Sequence, residues 1–206
     1  MALTVVDHPL AQDILVRLRD RATGPAEFRT LTRRLGTILV VEATRHLPTT
    51  LVEVDTPMEA TKGLAVTGGL VAVPVLRAGL GLLDGLLDLF PQTVVGYVGL
   101  ERDDETLVAR GYYEKLPPME GRHALVLDPM LATGGSGSAT CSAVEAAGPH
   151  SIRFVCVVAA PEGVARMQAE HPSVPIFTAA LDRELNGKGY ILPGLGDFGD
   201  RLYVTE

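Results

Sequence analysis

Residues 123–140 read HALVLDPMLATGGSGSAT, and this stretch decides the fold. Ala124 to Leu127 is an apolar run short enough for one buried strand, and it ends on an acid, Asp128. A loop of small residues follows, with Gly134, Gly135 and Gly137 set among Thr133 and Ser136. Ser138 to Ala147 then carries good helix formers, with Ser136 or Ser138 as the expected N-cap. Strand, acid, glycine loop and helix together make a phosphate cradle. Glycines let backbone N–H groups approach an anion, and a helix N-terminus adds partial positive charge. An ordinary strand-to-helix turn is the alternative, but such a turn does not need this density of glycine and hydroxyl residues.

Outward from this unit, apolar runs and helical stripes alternate. Pro9 to Arg21 puts Leu10, Ile14 and Leu18 on one helical face, and Pro25 to His46 does so with Phe28, Leu31, Leu35, Ile38 and Leu39. Such stripes belong to a core or a subunit contact. Leu51 to Asp55 alternates like a half-buried strand, and Thr56 to Leu64 reads as a connection. Leu70 to Leu76 is a buried-strand run, although Pro74 is awkward for a central strand. After Arg77, Gly79 and Gly81 comes a helix over Leu82 to Leu89, then a strand over Thr93 to Leu100. Glu101 to Glu114, ERDDETLVARGYYE, is polar and reads as a projecting hairpin or arm. Ser151 to Ala159 is a strand, Pro161 to Glu170 a helix opened by proline, and Val174 to Ala180 a strand. The tail from Asp182 to Glu206 is glycine-rich and reads as irregular.

This alternation predicts βαβ units and an α/β fold with a mostly parallel sheet. Ligands of such sheets bind beyond the carboxyl ends of the strands. Arg77, Arg102 and Asp128 each follow an expected strand, so they should meet at one edge. An arginine after a buried strand calls for an anion or a neighbouring acid as partner. No internal repeat or linker interrupts the chain, and one domain over 1–206 is expected.

Several function classes are disfavoured. The net charge is −7 with no long basic run, which argues against nucleic acid or an anionic membrane as partner. The N-terminus MALTVVDHPLAQD has acids where a secretory signal needs basic residues, so a cytoplasmic protein is expected. Cys141 and Cys156 have neither metal nor disulfide-framework spacing and read as small core residues. The five histidines are scattered. The glycine loop lacks the lysine of a nucleotide triphosphatase. A literal GxGxxG at Gly194, Gly196 and Gly199 has no strand before it and no long helix after it, so it is not a dinucleotide fingerprint.

Five blocks together resemble the uracil phosphoribosyltransferases: VPVLRAGLG at 73–81, ERDDET at 101–106, DPMLATGGS at 128–136, VAAPEG at 158–163 and GYILPGLGDFGD at 189–200. They come in the family's order, and the likeness extends back to HPL at 8–10. The resemblance implies a type I phosphoribosyltransferase fold with a small C-terminal hood and a projecting β-arm, assembled as a homodimer or higher homo-oligomer. It implies the salvage reaction of uracil with phosphoribosyl pyrophosphate (PRPP), giving UMP and diphosphate. Mg²⁺ would be bound through substrate and water, with no direct protein ligand. Some relatives are activated by GTP, which makes a GTP effector an expectation here too.

Carried onto this chain, the resemblance assigns PRPP binding to Arg77, Arg102, Asp128, Pro129, Met130, Leu131, Ala132, Thr133, Gly134, Gly135, Ser136 and Asp197. Asp128, Arg77 and Arg102 would be the catalytic groups. Ile191, Gly196, Asp197 and Phe198 would hold uracil, chiefly through main-chain atoms. The sequence departs from the family at Phe198, where a small residue is usual. An inward-pointing ring would narrow the base pocket. Two rivals share the fold: a UMP-sensing RNA-binding regulator, which the acidic charge disfavours, and a purine or orotate enzyme, which the C-terminal block disfavours.

Overall fold

Hydrophobic periodicity sets the element order, and the computed structural model describes residues 3–102 and 109–205 of the chain. Strand β1 (Leu3–Val5) leads into helices α1 (Pro9–Arg19) and α2 (Pro25–Thr44). Each helix starts on proline, whose missing N–H is not needed in a first turn. α1 stops before Arg21 because Asp20 is extended. Its buried face is Ala11, Ile14, Leu15 and Leu18, while Leu10 is exposed, contrary to the expected stripe. The stripe of α2 is buried at Phe28, Leu31, Leu35 and Leu39.

β2 (Thr49–Asp55) and β3 (Ala60–Val66) form an antiparallel hairpin. This corrects the reading of 56–64 as a connection: the Thr56 hydroxyl accepts from the Met58 and Glu59 N–H groups and closes a tight turn. β4 (Leu70–Leu76) and α3 (Leu80–Leu89) follow as expected. The next strand is broken at Gly96 into β5 (Val94–Val95) and β6 (Tyr97–Arg102). β7 (Ala109–Lys115) returns antiparallel to β6, so the arm has a hairpin base; residues 103–108 lie outside the described residues. Then come β8 (His123–Leu127), β9 (Met130–Leu131), α4 (Gly135–Ala146), β10 (Ser151–Ala159), α5 (Pro161–Glu170) and β11 (Ile176–Leu181). The tail is not irregular. It holds a two-stranded ladder, β12 (Glu184–Leu185) with β13 (Ile191–Leu192), and a short helix α6 (Phe198–Tyr203).

The main sheet runs β1–β11–β10–β8–β4–β6–β7, parallel throughout except at β6–β7. Side chains alternate across it. Leu125 and Leu127 of β8 join Val155 and Val157 of β10 beneath α1, α2, α3 and α6. Ala124, Val126, Phe154 and Cys156 point the other way, into the cluster that includes Cys141 and Val144 of α4 and Met167 of α5. Burial on both faces explains why the sequence shows continuous apolar runs here. At about 1.5–3 kcal/mol for each fully buried large side chain, these two layers dominate the favourable side of folding.

Pro74 does sit in a central strand, because its missing N–H falls where the ladder is interrupted. Gly96 donates to the Ala72 carbonyl, so even-numbered residues of β4 face the β5–β6 break. Cys141 and Cys156 are core residues, as read, and burial pushes both thiols up to about 12. No helix of the described residues is long and apolar enough to cross a membrane.

Candidate active site

Parallel packing carries the ends of β4 and β8 to one edge of the sheet, and a cleft opens there. Its walls come from Arg77 and Ala78 after β4, Leu100 of β6, Asp128 and Thr133 to Ser136 after β8, and the C-terminal segment around Ile191 and Gly196 to Gly199. The cleft continues past Arg77 to Tyr112 at the base of the arm.

Asp128 is buried at the floor. Its N–H donates to the Val155 carbonyl at 3.1 Å, continuing the β8–β10 ladder. The carboxylate accepts from the Ser136 hydroxyl at 2.7 Å and from the Met130 amide. Burial pushes its pKa up to about 6, and those two bonds limit the rise. The helix α4 follows the short strand β9, with Gly134, not serine, at the N-cap. The expected capping hydroxyls are engaged elsewhere: Ser136 on Asp128, and Ser138 on Glu170 and His171. The His171 ring, 3.0 Å from the Ser138 hydroxyl, lies 3.0 Å from Glu145 on its other nitrogen, tying the first turn of α4 to α5. Gly134 offers no side-chain cap, and the Gly135 N–H has only a long 3.4 Å bond to the Thr133 hydroxyl, so the first turn of α4 presents amides to a ligand.

Gly134 has φ +77, and a Cβ there would lie 3.0 Å from the Gly163 carbonyl. Glycine is therefore favoured by both conformation and contact. Met130, Ala132, Thr133, Gly134 and Gly135 line the cleft. Pro129 and Leu131 do not: both are buried, and their carbonyls accept from Val157 and Ala160 in the β10 region. Their role in the loop is to fasten it to the sheet.

Arg77 is exposed at the cleft wall, and among the described residues no carboxylate lies within ion-pair distance of it. Its guanidinium stands 6.0 Å from the Tyr203 ring, and its carbonyl accepts from the Tyr203 hydroxyl. Among the described residues, the acid partner expected as the alternative does not stand beside it. Arg102 closes β6 opposite Ala109, and its side chain lies outside the described residues.

The C-terminal wall presents main-chain groups. The Asn186 N–H donates to the Tyr190 carbonyl, and Glu184 pairs with Leu192. Ile191 therefore sits in the alternate, non-hydrogen-bonded position, with its N–H and C=O turned away from β12. Gly196 has φ +83. Asp197 caps α6, accepting from the Asp200 N–H at 2.9 Å, so the N–H of Phe198 at the first helical position is left without a helical partner. The Phe198 ring points into the core: it is 2% exposed and meets the Phe28 ring edge-on at 5.1 Å. Phe198→Leu should lower stability by about 1 kcal/mol. It should leave the KM for the base within twofold, measured by steady-state kinetics; a larger shift would show that the ring contacts the ligand.

Sequence reading missed Gly189, Tyr190 and Leu100 as wall residues and Tyr203 as the partner of Arg77. It also missed Asp182, although that acid ends an apolar strand just as Asp128 does.

Known proteins resemble this chain over nearly its whole length. A family model described as uracil phosphoribosyltransferase matches residues 5–205. A uracil phosphoribosyltransferase of Dictyoglomus thermophilum is 50% identical over 204 residues, covering 98% of this chain and 99% of that protein. One of Bacillus pumilus is 51% identical with 98% of each chain covered. Among solved structures, the AQ2163 protein of Aquifex aeolicus superposes with a TM-score of 0.96 at 37% identity, covering 99% of both chains.

Proposed function

The chain belongs to the uracil phosphoribosyltransferase family, and from that premise we propose how its cleft divides the work of the reaction. The enzyme is a pentosyltransferase with the type I phosphoribosyltransferase fold; it joins uracil to the ribose of PRPP, releasing diphosphate and forming UMP. One observation carries the division of roles: Asp128 and the uncapped start of α4 face the main chain of Ile191 to Phe198 across a single cleft.

In this reading the amides of Gly134 to Gly137 and the hydroxyls of Thr133 and Ser136 hold the 5′-phosphate. Met130 and Ala132 flank the sugar, and Asp128 lies beneath it, accepting from ribose hydroxyls. As the bond to diphosphate breaks, positive charge grows on the sugar, and a buried carboxylate favours it. Arg77 and Arg102 neutralise the departing diphosphate. The exposure of Arg77 at the cleft wall, with no acid partner among the described residues, supports that role, and the arm carrying Arg102 would exclude water that could capture the reactive sugar. No side chain acts as nucleophile, since a uracil nitrogen attacks the sugar. Catalysis rests on positioning and electrostatics.

Uracil presents acceptor, donor and acceptor along one edge. The Ile191 N–H, the Gly196 carbonyl and the Phe198 N–H would supply donor, acceptor and donor. Cytosine would leave some of these unpaired. Steady-state assays with uracil, cytosine, orotate and hypoxanthine test this. Uracil should exceed the others in kcat/KM by about 10³ or more, and a preference for any other base would overturn the reading.

Among the described residues no three His, Cys, Asp or Glu side chains gather as a metal cage. A hard cation held mainly by diphosphate oxygens and water fits this donor set, with Asp197 at the cleft to hold a bound water. Mg²⁺ bound there would neutralise diphosphate charge. We read residues 1–206 as one domain, working as a homo-oligomer. The β2–β3 hairpin supports the assembly: Leu51, Met58 and Leu64 are 67%, 91% and 71% exposed, and an isolated two-stranded hairpin is barely stable alone. Light scattering should give at least a dimer. A GTP effector remains part of the reading, and velocity measured with and without GTP tests it.

A further inference from the structure

We infer that Arg19, Asp182 and Arg201 are positioning residues for base recognition, holding the glycine-rich C-terminal turn rigid against the end of α1. This rests on the proposed main-chain reading of uracil. A main-chain reader built on glycines has an intrinsic problem. Gly189, Gly194 and Gly196 all have positive φ, and glycine gives up more conformational freedom than any other residue when it is ordered. Such a loop discriminates between bases only if something other than the ligand fixes its carbonyls and amides.

The fixing device is two guanidinium groups and one acid. Asp182 directly follows β11, and its N–H donates to the Ala159 carbonyl, so the acid is anchored to the sheet. Its carboxylate, 4% exposed, takes a two-pronged contact from Arg19, the last residue of α1, at 2.6 and 2.9 Å. The same pair captures both main-chain groups of one residue. The Gly194 N–H donates to Asp182 Oδ2 at 2.9 Å, and the Gly194 carbonyl accepts from Arg19 Nη1 at 2.8 Å. Arg201 secures the next residue, donating to the Leu195 carbonyl at 2.8 Å. It also reaches the Leu18 and Asp20 carbonyls at the end of α1, where helical carbonyls lack partners, and its guanidinium stacks 4.4 Å over the Phe28 ring.

Gly194 and Leu195 lie between Ile191 and Gly196, two of the three residues assigned to the base. Gly194 itself is folded so tightly that a Cβ would sit 2.2 Å from the Ile191 carbonyl oxygen. Movement of the strapped pair is therefore transmitted to Ile191. The phosphate loop lies on the far side of the cleft and makes none of these contacts. The strap should consequently govern affinity for the base and leave affinity for PRPP alone.

Steady-state kinetics on the purified Arg19→Gln enzyme, with each substrate varied in turn, tests this, with a thermal melt to establish folding. The KM for uracil should rise at least tenfold while that for PRPP stays within twofold, and Arg19→Lys should fall between the variant and the parent. A folded Arg19→Gln with an unchanged uracil KM, or with both KM values raised alike, would overturn the inference. If Arg19→Gln does not fold, Arg19→Lys gives the same readout: lysine keeps the charge but lacks the planar fork that bonds Asp182 and Gly194 together. Failure of the underlying reading is seen separately, as a parent enzyme that prefers another base to uracil.

Discussion

Asp128→Asn lowers kcat by about 10²–10³ while leaving the KM for uracil nearly unchanged, because the carboxylate's charge matters most when positive charge develops on the ribose. Asparagine keeps the shape and one acceptor oxygen for the Ser136 hydroxyl, but its NH2 cannot accept, so the loss reports the charge together with at most one of the two hydrogen bonds from Ser136 and Met130. The same group sets a pH dependence. Burial pushes its pKa up to about 6, so the ionised fraction, and kcat/KM with it, falls as pH drops through 6. Stability moves the opposite way. The folded state holds this proton more tightly than the unfolded chain, whose carboxyl titrates near its ordinary 3.8. Stability from this group therefore rises as pH falls from above 6 toward 4, and the burden of the buried charge is greatest above 6. Asp128→Asn should accordingly be more stable than the parent at pH 8, by up to about 3 kcal/mol, and should lose this part of the pH dependence. Denaturant unfolding at pH 4.5 and 8 measures both. Equal losses in kcat and in uracil affinity would contradict the role assigned to the carboxylate.

Gly134→Ala raises the KM for PRPP by tenfold or more and lowers stability by about 1–2 kcal/mol. Two effects combine: φ is +77, and the new methyl would press on the Gly163 carbonyl of α5 at 3.0 Å. Relief of that contact moves the first amides of α4, which are the proposed phosphate donors. Gly148→Ala separates strain from function. Gly148 has φ +71, lies beyond the other end of α4 and has open space where a Cβ would be. It should lose about 1 kcal/mol of stability with no change in either KM. Parallel kinetics and urea melts on the two variants make the comparison. Similar KM values for Gly134→Ala and the parent would remove the loop from the phosphate site.

The parts of the molecule legible in the sequence are those whose causes are local. β8 buries both faces, so its four-residue apolar core is contiguous, and the acid and glycines follow without interruption. β4 and β10 are legible for the same reason, and α5 is legible from the proline at its start. What could not be read depends on contacts between distant residues. Gly134 rather than a serine caps α4, and the Ser136 hydroxyl turns to Asp128 across the loop. The Phe198 ring is turned inward by Phe28, which belongs to a helix at the other end of the chain. β12 and β13 are two residues each, too short for alternation to register, and they pair only because the turn at Asn186 to Tyr190 closes. The Arg19–Asp182 strap joins residues that no sequence window contains together.

A crystal structure of the enzyme with UMP bound tests the division of the cleft most directly. The expected result is the 5′-phosphate within hydrogen-bonding distance of the Gly134 to Gly137 amides, the ribose over Asp128, and the pyrimidine edge against the main chain of Ile191, Gly196 and Phe198. A phosphate seated elsewhere, or a base that makes no contact with the C-terminal segment, would contradict it.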